Sequence, residues 1–170
     1  AATNHAVYIE GTLDNSSNGT AGAISVSSAN SNVTIDNVLA ASQTINNTTS
    51  NGVGGVINIS AGGASGSVRV DGTIDNRSTQ NGGTVTLTSA NNDVTVAAAS
   101  SVERGNIINS TTGGDGGNIT ITSGDDALVD GIVNNRSTQT GGTITFTGID
   151  GSTTVSNNGN NTSFAINNST

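Results

Sequence analysis

The chain of 170 residues contains no cysteine, proline, methionine or tryptophan, and aromatic residues make up only 2% of it. Without cysteine the chain can form neither a disulfide framework nor a zinc site built on thiolates. Basic residues are also scarce, since four arginines face twelve acidic residues and the net charge is -8. Such a surface cannot neutralise a phosphate backbone, which excludes nucleic acid as a partner.

Long apolar runs are missing as well. No stretch approaches the roughly 18 apolar residues of a membrane-spanning helix, so we expect no insertion into a membrane. Hydrophobic residues form 31% of the chain, and so polar a composition is usually typical of disorder. The apolar residues that are present are mainly Val, Ile and Leu spaced two apart, however, and this spacing is typical of β-strands.

Three short motifs recur in a fixed order. The first is an apolar alternation that an acidic residue usually follows (residues 33–36), the second is an aliphatic residue followed by Asn or Asp (74–75), and the third is a small pair that leads into a strand (82–87). The first motif starts at Val7, Val33, Val68, Val94, Ala127 and Thr153, at spacings of 26, 35, 26, 33 and 26 residues. Short and long units therefore alternate.

Units of this size cannot bury an apolar face alone, but they can do so when they stack. We therefore predict an all-β fold, a parallel β-helix (β-solenoid) with about six coils and three short strands per coil, as a single domain over residues 1–170. The coils should start near residues 7, 33, 68, 94, 127 and 153, with the last coil incomplete because it lacks the third motif. Six coils at the spacing of paired strands make a rod of about 29 Å.

The motifs also predict three apolar walls and one polar column. The first wall is Val7, Ile9, Val33, Ile35, Val68, Val70, Val94, Val96, Val129 and Val155; the second is Leu13, Ile45, Ile74, Ile108, Val133 and Ile166; the third is Ile24, Val26, Ile57, Ile59, Val85, Leu87, Ile119, Ile121, Ile144 and Phe146. The polar column is Asp14, Asn46, Asp75, Asn109, Asn134 and Asn167, which we interpret as a ladder that stabilises turns.

The pattern Gly-Gly-x-Ile-x-Ile, followed by an Asn/Ser-rich turn and then Val-x-Val-Asp-Gly-x-Ile-Asx-Asn, resembles the repeats of filamentous haemagglutinin-like and other large bacterial surface adhesins. The resemblance covers nearly the whole chain. It implies a right-handed parallel β-helix, export to the cell surface, and use as an extracellular adhesive or structural shaft whose partner would be a surface receptor or a glycan.

Neither end of the repeat carries a recognisable polar cap. Open solenoid ends expose unpaired backbone and apolar layers, which are a template for further stacking. We therefore expect end-to-end association, either with another copy or with the rest of a longer chain. The favoured hypothesis is a non-enzymatic shaft segment, and the alternative is a self-assembling filament subunit.

One column of carboxylates is a candidate metal site. Glu10, Asp36 and Asp71 occupy the same repeat position in consecutive coils, and Asp130 occupies it further along. Carboxylates stacked about 4.8 Å apart repel by roughly 0.9 kcal/mol even in water. Bound Ca²⁺ would relieve this repulsion, since it prefers oxygen ligands. A solvated acidic edge is the simpler interpretation, so no cofactor is required.

No catalytic or cofactor-binding site is predicted. A polysaccharide-cleaving enzyme would need carboxylates at a defined separation, usually with basic and aromatic residues beside them. The basic residues are Arg69, Arg77, Arg104 and Arg136, and the aromatic residues are Tyr8, Phe146 and Phe164; no position of the repeat gathers them. His5 precedes the first coil.

Two surface features each allow two interpretations. The third-motif strands should direct Thr84, Thr86, Thr88, Asn118, Thr120, Thr122, Thr143, Thr145 and Thr147 outward on one flat side. Regular hydroxyls and methyls can order water, as an ice-binding face requires, although the first two coils break the pattern and Thr is a common exposed strand residue. Apolar insertions at 38–43 and 97–102 should line one edge, where they either widen the core or contact a neighbouring rod or ligand.

Overall fold

A computed structural model describes residues 5–36, 43–97, 105–156 and 165–170. Within these ranges the chain forms β-strands, turns and bends, and no helix. All pairings between the strands are parallel, and they generate three sheets of six, six and five strands.

The first and second sheets take one strand from each of the six coils, and the third sheet takes one from each of the first five. The first sheet contains β1 (Val7–Glu10), β4 (Val33–Asp36), β7 (Val68–Asp71), β10 (Val94–Ala97), β13 (Ala127–Asp130) and β16 (Thr153–Ser156). The second sheet contains β2 (Leu13–Asp14), β5 (Gln43–Asn46), β8 (Thr73–Asp75), β11 (Ile107–Ile108), β14 (Val133–Asn134) and β17 (Ile166–Asn167). The third sheet contains β3 (Ala23–Ser28), β6 (Val56–Ala61), β9 (Thr84–Ser89), β12 (Asn118–Ser123) and β15 (Thr143–Gly148).

This order confirms the predicted parallel β-solenoid with three strands per coil. The six strands of the first sheet begin at the residues where the first motif starts. Equivalent residues of successive coils lie opposite one another, as Val7 does with Val33 and Ile57 with Val85. Because the register is set by the repeat, an outward or inward position in one coil keeps its direction in the next.

The interior is a stack of aliphatic layers. Ile35, Ile59 and Leu87 are completely buried in the middle of the rod. Residues of the end coils, such as Ile9 and Phe146, are partly buried and pack against the same cluster. Full burial of a Val, Leu or Ile side chain contributes about 1.5–3 kcal/mol. The repeat of Val, Ile and Leu therefore supplies a continuous core despite the low hydrophobic content.

Two positions of the predicted second wall differ in the structure. Ile166, in the last coil, is 46% exposed. Ile107, and not Ile108, pairs with Ile74 in the second wall, and it is fully buried. Ile108 pairs with Asp75 instead and is only partly buried. Asn109 consequently leaves the predicted Asp/Asn column and stands one position further along. The motif caused the error because Ile108 directly precedes Asn109 and so matches an aliphatic residue followed by Asn, whereas in the structure Ile108 itself takes the polar position.

The observed register aligns a second polar column, which we name the asparagine ladder: Asn15, Asn47, Asn76, Asn109, Asn135 and Asn168. Each Nδ2 donates to the Oδ1 of the asparagine in the following coil, at 2.8, 3.0, 2.8, 3.1 and 3.1 Å in that order. The four central members are completely buried. Buried amides need partners, and the ladder supplies them inside the rod.

The glycine pair of the third motif completes the ladder. The second glycine of the pair offers its carbonyl to the next asparagine, and Asn76 Nδ2 donates to Gly55 O at 3.2 Å while Asn109 Nδ2 donates to Gly83 O at 3.1 Å. A Cβ at Gly83 would clash with Gly55 O and lie 2.6 Å from Asn76 Nδ2. The third motif therefore requires small residues at this pair, because the asparagine side-chain amide and the backbone of the neighbouring coil lie close to it.

Short coils turn from the first sheet to the second through a glycine. Gly11 and Gly72 directly follow β1 and β7 with φ of +108° and +117°. This backbone conformation favours glycine because it has no Cβ. In the long coils most of the additional residues follow the first-sheet strand in sequence, and they lie outside the described residues.

Candidate binding surfaces

The outer face of the first sheet carries the predicted acidic column. Glu10 lies opposite Asp36, and Asp36 lies opposite Asp71, in consecutive coils. Ala97 follows Asp71 and interrupts the column, and Asp130 resumes it before Ser156. The register therefore agrees with the prediction.

Two carboxylates of this column, Asp36 and Asp71, already have side-chain partners. The guanidinium of Arg69, on the same strand as Asp71, lies 2.5 Å from Oδ1 through Nη2 and donates from Nε to Oδ2 at 2.9 Å. Asp71 is 6% exposed, and burial raises its pKa, although the hydrogen bond and charge of Arg69 oppose the shift. Tyr8 donates its hydroxyl to Asp36 Oδ2 at 3.3 Å. Calcium at this column stays a prediction.

A different acidic group brings its oxygens closer together. Among the described residues, Asp93, Asp125 and Asp126 place three carboxylate oxygens within 4.8 Å of one another. All three side chains are exposed. Asp126 Oδ1 accepts hydrogen bonds from Ser152, at 2.7 Å from N and 2.9 Å from Oγ, and these bonds lower the pKa of Asp126. The group therefore has an internal role in the turns that lead into the first sheet.

This acidic group was not predicted from the sequence. Asp93 and Asp126 each stand directly before a first-motif strand, and Asp126 N donates to Asp93 Oδ1 at 3.2 Å. Their shared position before Val94 and Ala127 was a usable signal. Asp125 joins them only through the shape of the turn, which the repeat does not determine.

The arginines differ in their surroundings. Arg77 makes a bidentate ion pair with Asp75, with Nη2–Oδ2 at 2.6 Å and Nε–Oδ1 at 2.9 Å. The side chain of Asp75 is completely buried, and hydrogen bonding to it raises the pKa of Arg77. Arg136 occupies the same repeat position, but its neighbour is Asn134, which accepts a hydrogen bond only from the backbone N of Arg136. One pair is therefore a structural clamp that its repeat copy lacks.

The aromatic residues are dispersed. Tyr8 is 59% exposed on the first sheet, whereas Phe146 packs against the core. His5 lines a depression beside the first coil, and its carbonyl accepts a hydrogen bond of 3.0 Å from Ser28 Oγ. Arg104, Phe164, most of the insertion at 38–43 and most of that at 97–102 lie outside the described residues.

The outward positions of β9, β12 and β15 on the third sheet are polar, as the third motif predicts, whereas β6 exposes Val56. In β9 and β12 the inward residues are buried and the outward ones are partly or fully exposed. The threonines align across coils, since Thr120 lies opposite both Thr86 and Thr145. We name the outward threonines of β9, β12 and β15 the hydroxyl face.

Within the described ranges, no helix has the length and apolar character needed to cross a membrane. Comparison of the chain with protein-family models, curated proteins and solved structures finds no match.

Proposed function

We propose that the chain is a structural or adhesive shaft segment of an extracellular, cell-surface protein, without enzymatic activity. The observation that supports this most directly is the unbroken stacking of coils: each coil bonds only to its neighbours through three parallel sheets. Repeat proteins of this kind form rods because contacts are confined to adjacent units. A rod holds whatever it carries at a fixed distance from its base.

The interior gives the rod its stiffness. The aliphatic stack, the asparagine ladder and the backbone bonds between coils all run along the same axis. Bending would have to break several of these bonds in one coil together. The exposed surface is acidic and rich in Ser, Thr and Asn, and a net charge of this size opposes aggregation of neighbouring rods.

Location and adhesion can be tested separately. We expect an antibody raised against the folded chain to label intact cells that produce the protein, without permeabilisation. Beads coated with the chain should bind a glycan array or a cell surface above the level of beads coated with the unfolded chain. Labelling only after permeabilisation would contradict the extracellular proposal, and equal binding of folded and unfolded chain would contradict adhesion by this segment.

Filament assembly is the second candidate. The outermost strands β1, β2 and β3, and at the other end β15, β16 and β17, pair on one side only within the structure. Free edges of this kind pair with further strands, from the same chain or from another copy. The rest of a longer chain would pair with these edges as well as a second copy would, so self-assembly ranks second.

Sedimentation of the 170-residue chain over a range of concentrations distinguishes the two candidates. A constant monomeric mass supports the shaft segment. Mass that rises with concentration, together with fibres in electron micrographs, supports the filament subunit.

A further inference from the structure

The hydroxyl face has a regularity in two directions that no other surface of the described residues shares. Thr86, Thr120 and Thr145 form one rank across three coils, and Thr88, Thr122 and Thr147 form the next. Neighbouring coils are about 4.8 Å apart and alternate residues along a strand about 6.7 Å apart. The threonines are therefore spaced regularly both along the strands and from coil to coil.

The hydroxyls of these two ranks are available to a ligand. Among the described residues, none of these six side-chain hydroxyls makes a hydrogen bond to another protein group. In the adjoining rank, by contrast, Thr143 Oγ1 donates to Asn118 Oδ1 at 2.6 Å. β-Branched side chains are restricted at χ1, so little conformational entropy is lost when the hydroxyl face engages a surface.

The chemistry of the face limits what can bind. The outward positions of β3, β6, β9, β12 and β15 carry neither a charged nor an aromatic side chain. This is unusual in a chain of net charge -8, whose first sheet exposes several carboxylates. Recognition by charge or by stacking on sugar rings is therefore unavailable here.

We propose that the hydroxyl face binds the surface of an ice crystal. Ice is uncharged, repeats in two dimensions and offers hydrogen-bond donors and acceptors at every lattice point. The threonine hydroxyls hold water molecules in fixed places, and the methyl groups between them restrict the orientation of adjacent water. This activity is additional to the shaft function and depends on a different sheet from the acidic column.

The test compares the full chain with two variants in assays of thermal hysteresis and ice recrystallisation. Thr120→Lys places a mobile charge at the centre of the hydroxyl face, whereas Thr95→Lys makes the same change on the outer face of the first sheet. Both threonines are partly exposed strand residues. We expect the wild type and T95K to slow crystal growth, and T120K to lose this inhibition.

Circular dichroism and the urea midpoint establish that both variants remain folded. Crystal growth in the presence of the wild type that equals growth with an inert protein would overturn the proposal. So would equal inhibition by T120K and T95K. A face that instead joins two copies would show a dimer of the wild type by sedimentation, absent in T120K, with no effect on ice, and this result would also overturn the proposal.

Discussion

The asparagine ladder inside the rod and the acidic column on its first sheet pass through the same coils, yet only the ladder is continuous. All six coils contribute an asparagine to the ladder. The acidic column changes to Ala97 in the fourth coil and to Ser156 in the sixth. A buried amide that loses its partner is costly, whereas an exposed carboxylate is satisfied by water. Residues of the inward column are therefore constrained by the stability of the fold, whereas residues of the outward column can vary according to function.

The largest expected loss of stability follows substitution of a glycine beside the asparagine ladder. Gly83→Ala would push a Cβ into Gly55 O and towards Asn76 Nδ2, and we expect a loss of about 3 kcal/mol, at the upper end of overpacking costs. Urea unfolding followed by circular dichroism measures it. Gly19→Ala is the control, because nothing lies within 4 Å of its Cβ position. A neutral G83A would show that the ladder can move aside.

Removal of one ladder residue should cost less. Asn76→Ala deprives Asn47 Nδ2 and Asn109 Oδ1 of their ladder partners in a fully buried site, so we expect a loss of about 2 kcal/mol. The exposed Asn58→Ala should stay within about 0.5 kcal/mol of wild type. Equal urea midpoints for N76A and N58A would mean that the ladder contributes nothing to stability.

Two arginines in repeated sequence offer a matched pair. Arg77→Ala removes the bidentate partner of the buried Asp75, and we expect a loss of about 1.5 kcal/mol, discounted because half of Arg77 is exposed. Arg136 forms no ion pair with any residue that the structure describes, so Arg136→Ala should change the unfolding free energy by less than about 0.5 kcal/mol. The comparison fails if the two variants unfold at the same urea concentration.

A smaller effect concerns pH. Because burial raises the pKa of Asp71 above 3.8, the folded state binds its proton more tightly than the unfolded state does. The resulting stability is present below the unfolded pKa and is lost as pH rises through the folded pKa. Asp71→Asn should remove this decline from the profile of unfolding free energy against pH, by less than about 1 kcal/mol after solvent screening.

Arg69→Ala provides the control for this measurement. Arg69 favours the ionised carboxylate, so its removal should raise the pKa of Asp71 further and move the decline to higher pH. Profiles of wild type, D71N and R69A that coincide would show that Asp71 does not report the environment of the column.

Calcium should have the smallest effect, because Asp71 is already neutralised by Arg69. At a concentration equal to its Kd a ligand adds about 0.4 kcal/mol, and we expect less than this from millimolar Ca²⁺ in thermal unfolding. A larger increase that disappears in the triple variant E10Q/D36N/D71N would establish a site at the column. An increase that persists there would point to Asp93, Asp125 and Asp126.

The inward-facing side chains could be predicted from the sequence because the same spacing of apolar residues recurs in each coil. The alternation of Val33 and Ile35 recurs with the same direction in every coil, and the register followed from it. The error at Ile107 arose because Ile108 directly precedes Asn109 and so matches the motif. Alignment on the asparagine that follows, Asn109, would have resolved it, since that residue is the constant one.

The outer surface was less predictable. The register of Glu10 and Asp36 followed from the repeat, but the pairing of Asp71 with Arg69 depends on two side-chain conformations. The turn that brings Asp125 to Asp93 depends on local backbone geometry. Neither is repeated from coil to coil, so a single sequence contains no internal comparison from which to infer it.

The amides of the ladder all point the same way, from Nδ2 in one coil to Oδ1 in the next. A single reversed amide would set two donors against each other on one side and two acceptors on the other. The orientation must therefore be shared by every coil or lost at a defect, and aligned amides polarise one another. The two directions along the axis of the rod are therefore not equivalent, and the side-chain amides as well as the backbone distinguish them.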